Sequence, residues 1–146
     1  MKNRFYIILW VAFFVFSARV QADDLFSQRC TLFFDNGVTI KEVFLAQTPK
    51  QKEKGLSGRK SPGNGMLFSF TENEPVYFWM HNTHFPLSIG FFDQDGQLFR
   101  ITDMQADTDD VHSSEMPAKF ALELPLGQFG QLELNEGIRL LKQDCQ

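Results

Sequence analysis

The segment YFWMHNTHFP, residues 77–86, gathers the densest set of groups able to do chemistry. Trp79 offers a flat apolar ring with one N–H donor, suited to stacking on a sugar or a peptide side chain. It is equally suited to a core position with that N–H satisfied by backbone. Asn82 and Thr83 can orient a ligand by hydrogen bonds, or can close a turn before Pro86 through local bonds to backbone. His81 and His84 are candidate general bases and candidate metal ligands. Together with Met66, Met80, Met104, His112 and Met116 they form a set of thioethers and imidazoles that suits copper. The spacing does not favour a metal, because residues three apart on a strand point to opposite faces and no Met-x-x-Met or His-x-His is present. Most such methionines simply fill gaps in a core. Arg59 follows a glycine and reads as an anion contact or a salt-bridge partner.

Other chemistries find less support. The chain has no Gly-x-Ser-x-Gly, the signature of a serine nucleophile on a strand-to-helix turn. Asp93 and Asp95 belong to a turn. Asp107, Asp109, Asp110 and Glu115 do not follow the spacing of a calcium loop and read as a solvated acidic segment.

The elements that must position these residues follow from local patterns. Asp35-Asn36-Gly37 separates two apolar runs and predicts a hairpin. Thr48-Pro49 supplies an N-cap and a first-turn proline for a short helix that stops at Gly55. Residues 56–65, with three Gly, one Pro and two Ser, read as a loop. Residues 66–70 read as a strand. Along residues 76–82, Val76, Phe78 and Met80 face one way and Tyr77, Trp79 and His81 the other. Leu87 to Phe92 and Gln97 to Met104 flank Asp93-Gln94-Asp95-Gly96, a second hairpin. Residues 105–117 read as the longest loop, and Phe120 to Leu124 as a strand through its alternating Phe120, Leu122 and Leu124. One helical turn within 125–132 and a last strand over 138–142 complete the chain. The expected fold is mostly β (α+β): a small curved antiparallel sheet or barrel-like domain with one or two short helices.

The first residues carry a different signal. Lys2 and Arg4 precede an unbroken apolar run from Phe5 to Phe16, and Val20-Gln21-Ala22 fits a cleavage site. This reads as a secretory signal peptide over residues 1–22, leaving one β-rich domain over 23–146 in the periplasm or outside the cell. The alternative is a membrane anchor over residues 5–18, although the run is shorter than the roughly 18 residues of a spanning helix. Without Lys2, Arg4 and Arg19 the chain keeps 11 basic against 18 acidic residues. That balance argues against nucleic acid as a partner, since phosphate contacts need clustered Lys and Arg. Export places Cys30 and Cys145 in an oxidising compartment and favours a disulfide that makes the first and last strands neighbours.

Four segments in order carry a resemblance: Gly55-Leu56-Ser57-Gly58-Arg59, Gly65-Met66-Leu67-Phe68, Phe78-Trp79-Met80-His81-Asn82-Thr83, and Pro86-Leu87 followed by Phe92-Asp93-Gln94-Asp95-Gly96. Together they resemble the DUF192 family, whose marks are a GLSGR-like turn, GMLF, FWMKNT, PLD and a DxxG hairpin. The resemblance runs from about Val38 to Leu140. It implies a small β-rich domain of exported or membrane-anchored prokaryotic proteins, and it implies no established activity. His81 stands where the family more often has Lys or Arg, and Ser88 where it often has Asp.

The function expected from these residues is binding rather than catalysis. Trp79, Met80, His81, Asn82, Thr83, Arg59 and Met66 would line a shallow aromatic-polar cleft for a small molecule, glycan or peptide, or for an envelope protein, with no cofactor. Two other readings stay open: an envelope hydrolase with His81 or His84 as base, and a copper protein built on His81, His84 and Met80.

Overall fold

The computed structural model describes residues 25–146 apart from Asn73. The predicted signal segment, residues 1–22, lies outside the described residues. Nine strands and two short helices follow in order: β1 Arg29–Phe34, β2 Thr39–Ala46, α1 Pro49–Lys54, β3 Met66–Ser69, β4 Tyr77–Phe78, β5 Leu87–Phe92, β6 Leu98–Met104, β7 His112–Ser113, β8 Phe120–Pro125, α2 Gln128–Gln131 and β9 Leu140–Cys145. Seven of the strands form one curved sheet in the order β6-β5-β8-β3-β2-β1-β9, while β4 and β7 pair separately.

The local signals produce the elements expected of them. The β1–β2 hairpin turns at Asn36-Gly37, and the β5–β6 hairpin at Asp95-Gly96. Thr48 caps α1 by accepting from the Gln51 N–H, while the Gln51 side chain accepts from the Thr48 N–H, a reciprocal pair that satisfies two otherwise orphan donors.

Four features differ from the sequence reading. The sheet is mixed, because β2 and β3 pair in parallel. The connection between them, residues 47–65, is long enough to hold α1 and cross over the sheet, which two parallel neighbours require. The sheet is not a closed barrel, although its edges meet at one end through a bridge between Gln97 and Arg139. Backbone bonds from Leu98 N–H to the Ile138 carbonyl and from Leu140 N–H to the Gly96 carbonyl extend that meeting. The strand expected over 76–82 shrinks to Tyr77–Phe78, and the loop over 105–117 contributes β7 as its partner.

Both faces of the central strands are buried. One face carries Leu32, Val43, Leu67, Leu122, Leu124 and Phe92 under α2. Gly90 in β5 makes this possible, since a Cβ there would meet the Phe129 ring at 2.7 Å. The other face carries Met66, Phe68, Leu87, Ile89, Phe91 and Ala121 beneath Leu56, Val76 and Met80. All six residues of β5 are buried, so this strand reads as a continuous apolar run. Cys30 and Cys145 lie opposite each other in the β1–β9 pair and form the expected disulfide. It closes a loop of 115 residues, for which loop entropy alone gives a stabilisation of about 4–5 kcal/mol. Among the described residues no helix is long and apolar enough to cross a membrane.

Candidate functional site

On the second face of the sheet, α1 and the segment from Tyr77 to Thr83 stand apart and leave a cleft of about 300 Å³. Lys52, Glu53 and Lys54 of α1 form one side, with Leu56 and Ser57 after the helix. Tyr77, Phe78, Trp79, His81 and Thr83 form the other, with Phe68 and Phe70 behind and Glu123 at the base.

The apolar wall is an aromatic cluster. Phe78 meets Phe68 edge-on at 4.9 Å between centroids, meets Phe70 edge-on at 6.4 Å, and leans on Phe91 at 5.9 Å. These are the offset and edge geometries that ring quadrupoles favour. Trp79 is 60% exposed, so it is a surface ring rather than a core one. It lies 5.8 Å from the His81 ring.

Two loops clamp the segment that carries these rings. Met80 N–H donates to the Thr108 carbonyl, Asp107 N–H to the Thr83 carbonyl, and Gly58 N–H to the Asn82 carbonyl. Asn82 adopts a left-handed φ of 54°, a conformation that Asn tolerates better than most residues. Its side-chain amide donates to Ser57 Oγ at 3.3 Å. The acidic loop closes on both imidazoles: His81 Nδ1 is 2.8 Å from Asp109 and His84 Nδ1 is 2.8 Å from Asp107. The acidic segment therefore serves as a clasp for the turn.

Glu123 dominates the electrostatics. It sits in β8 near the middle of the sheet, opposite Met66 of β3 and Ile89 of β5. It is buried, and Oε2 has no hydrogen-bond partner. Burial among apolar neighbours disfavours the charged carboxylate and pushes its pKa up to about 8. At neutral pH this side chain is a carboxylic acid with a proton to donate. On the rim, Lys52 is held below the ordinary lysine range, first by burial and then by repulsion from Lys119. Its ammonium lies 4.6 Å from the Phe70 ring centre.

The residues singled out in the sequence divide. Trp79, His81 and Thr83 line the cleft. Met80 and Met66 do not; both are packed in the core with Met104. Asn82 shapes the turn from outside the cleft. Arg59 stacks on Phe44 at 3.8 Å and lines a separate hollow with Phe26 and Lys60. His84 points to Asp107 rather than towards His81. Among the described residues no group of three or more His, Cys, Asp and Glu is placed to hold a metal ion. Ser88 donates to Asp103 on the neighbouring strand at 2.6 Å. Glu123 was missed, as were Lys52, Lys54, Phe68 and Phe78. The one available signal for Glu123 was a single acid inside the apolar run Phe120 to Leu124.

Comparison with known proteins places this architecture. No curated protein matches the chain. A protein of Sinorhizobium meliloti 1021, provisionally described as a transcription regulator, shares 33% identity over 82% of this chain and 95% of its own, with a TM-score of 0.70. A protein of unknown function from Novosphingobium aromaticivorans DSM 12444 shares 25% identity over 80% of this chain and 83% of its own, with a TM-score of 0.69. The profile of DUF192, described as "Uncharacterized ACR", matches residues 32–141. The chain belongs to the DUF192 family.

Proposed function

We propose that this protein is an exported binding or accessory domain that holds a small amphipathic ligand in the cleft between α1 and the Tyr77–Thr83 segment. The observation that carries the reading is Glu123: a buried acid, one oxygen without a partner, at the base of an aromatic-walled cleft. A buried polar group without a partner is costly to the fold. A ligand atom that bonds to it removes that cost, which is how binding sites store affinity in an unsatisfied group. The Cys30–Cys145 disulfide and the signal-like first residues support export. A role on nucleic acid, suggested by the description of the S. meliloti relative, finds no support in a chain with 18 acidic against 14 basic residues.

The test is a titration of the protein with a panel of small amphipathic compounds, read by NMR at the Trp79 indole N–H and, in every variant, at the backbone amides of Leu56, Phe78 and Thr83 around the cleft. Compounds that shift these signals in the wild type and bind more than tenfold more weakly to Trp79→Ala support the reading. A panel that moves nothing near Trp79 sinks it.

A second reading rests on His81. Its Nδ1 is engaged by Asp109 at 2.8 Å while the ring borders the cleft, and an acid that orients an imidazole leaves the other ring nitrogen to act as a base. Hydrolysis of an ester bound in the cleft would follow. Ester turnover that Asp109→Asn leaves unchanged rules this out.

A further inference from the structure

The geometry points to the ligand class: a small organic monocarboxylate with an apolar body, its carboxylate set between Glu123 and the Lys52–Lys54 side of the cleft, its body against Phe68, Phe78 and Trp79. This inference rests on the binding reading above and narrows it.

Three observations converge on an acid. First, the side chain at the base of the cleft is a carboxyl whose Oε2 is buried and unpartnered. A carboxyl kept neutral by an apolar setting is a hydrogen-bond donor, and the strongest acceptor it can meet is an anionic oxygen. Two carboxyl groups in contact share one proton, because two adjacent negative charges do not both persist in a poorly solvated site. Here Glu123 is the partner that holds it. Second, the side facing the aromatic wall carries two lysines, Lys52 and Lys54, against one acid, Glu53. Lys50, Lys52, Lys54, Arg59 and Lys60 fall within eleven residues of a chain that is acidic as a whole, and two of them border this cleft. Third, the rest of the wall is aromatic and the volume of about 300 Å³ accommodates a body no larger than a single ring with a short chain, at the lower end of small-molecule sites.

The groups that bear on the Glu123 proton are few. From α1 come Lys52, Glu53 and Lys54; from β4 and the turn after it, Tyr77 and His81. The strands on either side place Met66 and Ile89 opposite it, neither of which titrates. The two lysines favour an anionic ligand in the cleft, while burial sets the shift of Glu123. Binding therefore falls as pH rises and Glu123 becomes the anion that excludes the ligand.

The test uses the full chain carrying Trp10→Phe, which leaves Trp79 as its single indole, and reads fluorescence on titration with 3-phenylpropanoate and its neutral amide. At pH 6.5 the acid is expected to bind at least tenfold more tightly than the amide. Raising the pH to 9.5 is expected to weaken the acid by roughly tenfold or more. Glu123→Gln keeps a donor and cannot ionise; with an unchanged circular dichroism spectrum it should bind the acid and lose the pH dependence. Lys52→Met with Lys54→Met should weaken the acid and leave the amide unchanged. N-acetyl-glycyl-phenylalanine with a free C-terminus separates the two sources of such a carboxylate, and whichever of it and phenylpropanoate binds more tightly names the source. Equal binding of acid and amide overturns the acid class and leaves the cleft intact. A pH dependence that persists in Glu123→Gln overturns the role of Glu123. No response to either probe removes both this inference and the binding reading.

Discussion

Replacing Glu123 by Gln should change the way stability depends on pH. The unfolded chain releases this proton near the ordinary carboxyl value of 4.5, whereas the folded state holds it to about 8. Between those values the folded state binds more protons than the unfolded one, so stability falls as pH rises. Each unit corresponds to about 1.4 kcal/mol, so the loss between pH 5 and pH 8 is about 4 kcal/mol, after which it levels off. That is a large fraction of the roughly 5–15 kcal/mol of a typical domain. Glu123→Gln is nearly isosteric with the protonated acid and cannot ionise. Its stability should match the wild type near pH 5 and exceed it by about 4 kcal/mol at pH 9. Urea unfolding followed by circular dichroism, with the disulfide intact, gives both curves. Other titrating groups are common to the two proteins and cancel in the difference. At a slope of about 1–3 kcal/mol/M the midpoints should part by roughly 1.3–4 M at pH 9. Midpoints that stay parallel from pH 5 to pH 9 would show that Glu123 ionises as in water, and the electrostatic argument for the cleft would fall with it.

Two further outcomes follow from packing. Gly65→Ala should destabilise by more than about 2 kcal/mol in urea unfolding, because Gly65 has a φ of 95° and an added Cβ would meet the Glu123 carbonyl oxygen at 2.2 Å. Cys30→Ser with Cys145→Ser should lower the unfolding free energy by about 3–5 kcal/mol, and a loss under 1 kcal/mol would mean that the β1–β9 pairing already restricts the unfolded chain without the bond.

What could be read from the sequence was what neighbouring residues decide. Asn36-Gly37 and Asp95-Gly96 marked their hairpins because their backbone preferences are local. Thr48, Pro49 and Gly55 bounded α1 for the same reason. The alternation of Val76, Phe78 and Met80 against Tyr77, Trp79 and His81 gave the right facing, although the strand itself is short. The parallel pairing of β2 with β3 was not legible, since it depends on where a connection of residues 47–65 carries the chain. Glu123 was lost for a related reason. The alternation of Phe120, Leu122 and Leu124 identifies one apolar face of β8 but is silent about what covers the other. That second face, where Glu123 lies, is covered by residues far away in sequence, Leu56, Val76 and Met80 among them. The methionines misled in the opposite direction: their chemistry suited a site, and their volume was used for the core.

The meeting of the two sheet edges has a consequence for association. An open sheet of this size normally presents two rows of unpaired backbone groups, each a template for a strand from another molecule. Here β6 and the residues leading into β9 satisfy one another at one end. Beyond that point Glu136 accepts from the Ile101 N–H, and Lys142 and Asp144 pair as charges along β9. At that end the borders are thereby closed to recruitment by strand addition. Fibrous growth and peptide capture are disfavoured where the two edges meet, and Lys142 and Asp144 place charge along the part of β9 that lies beyond.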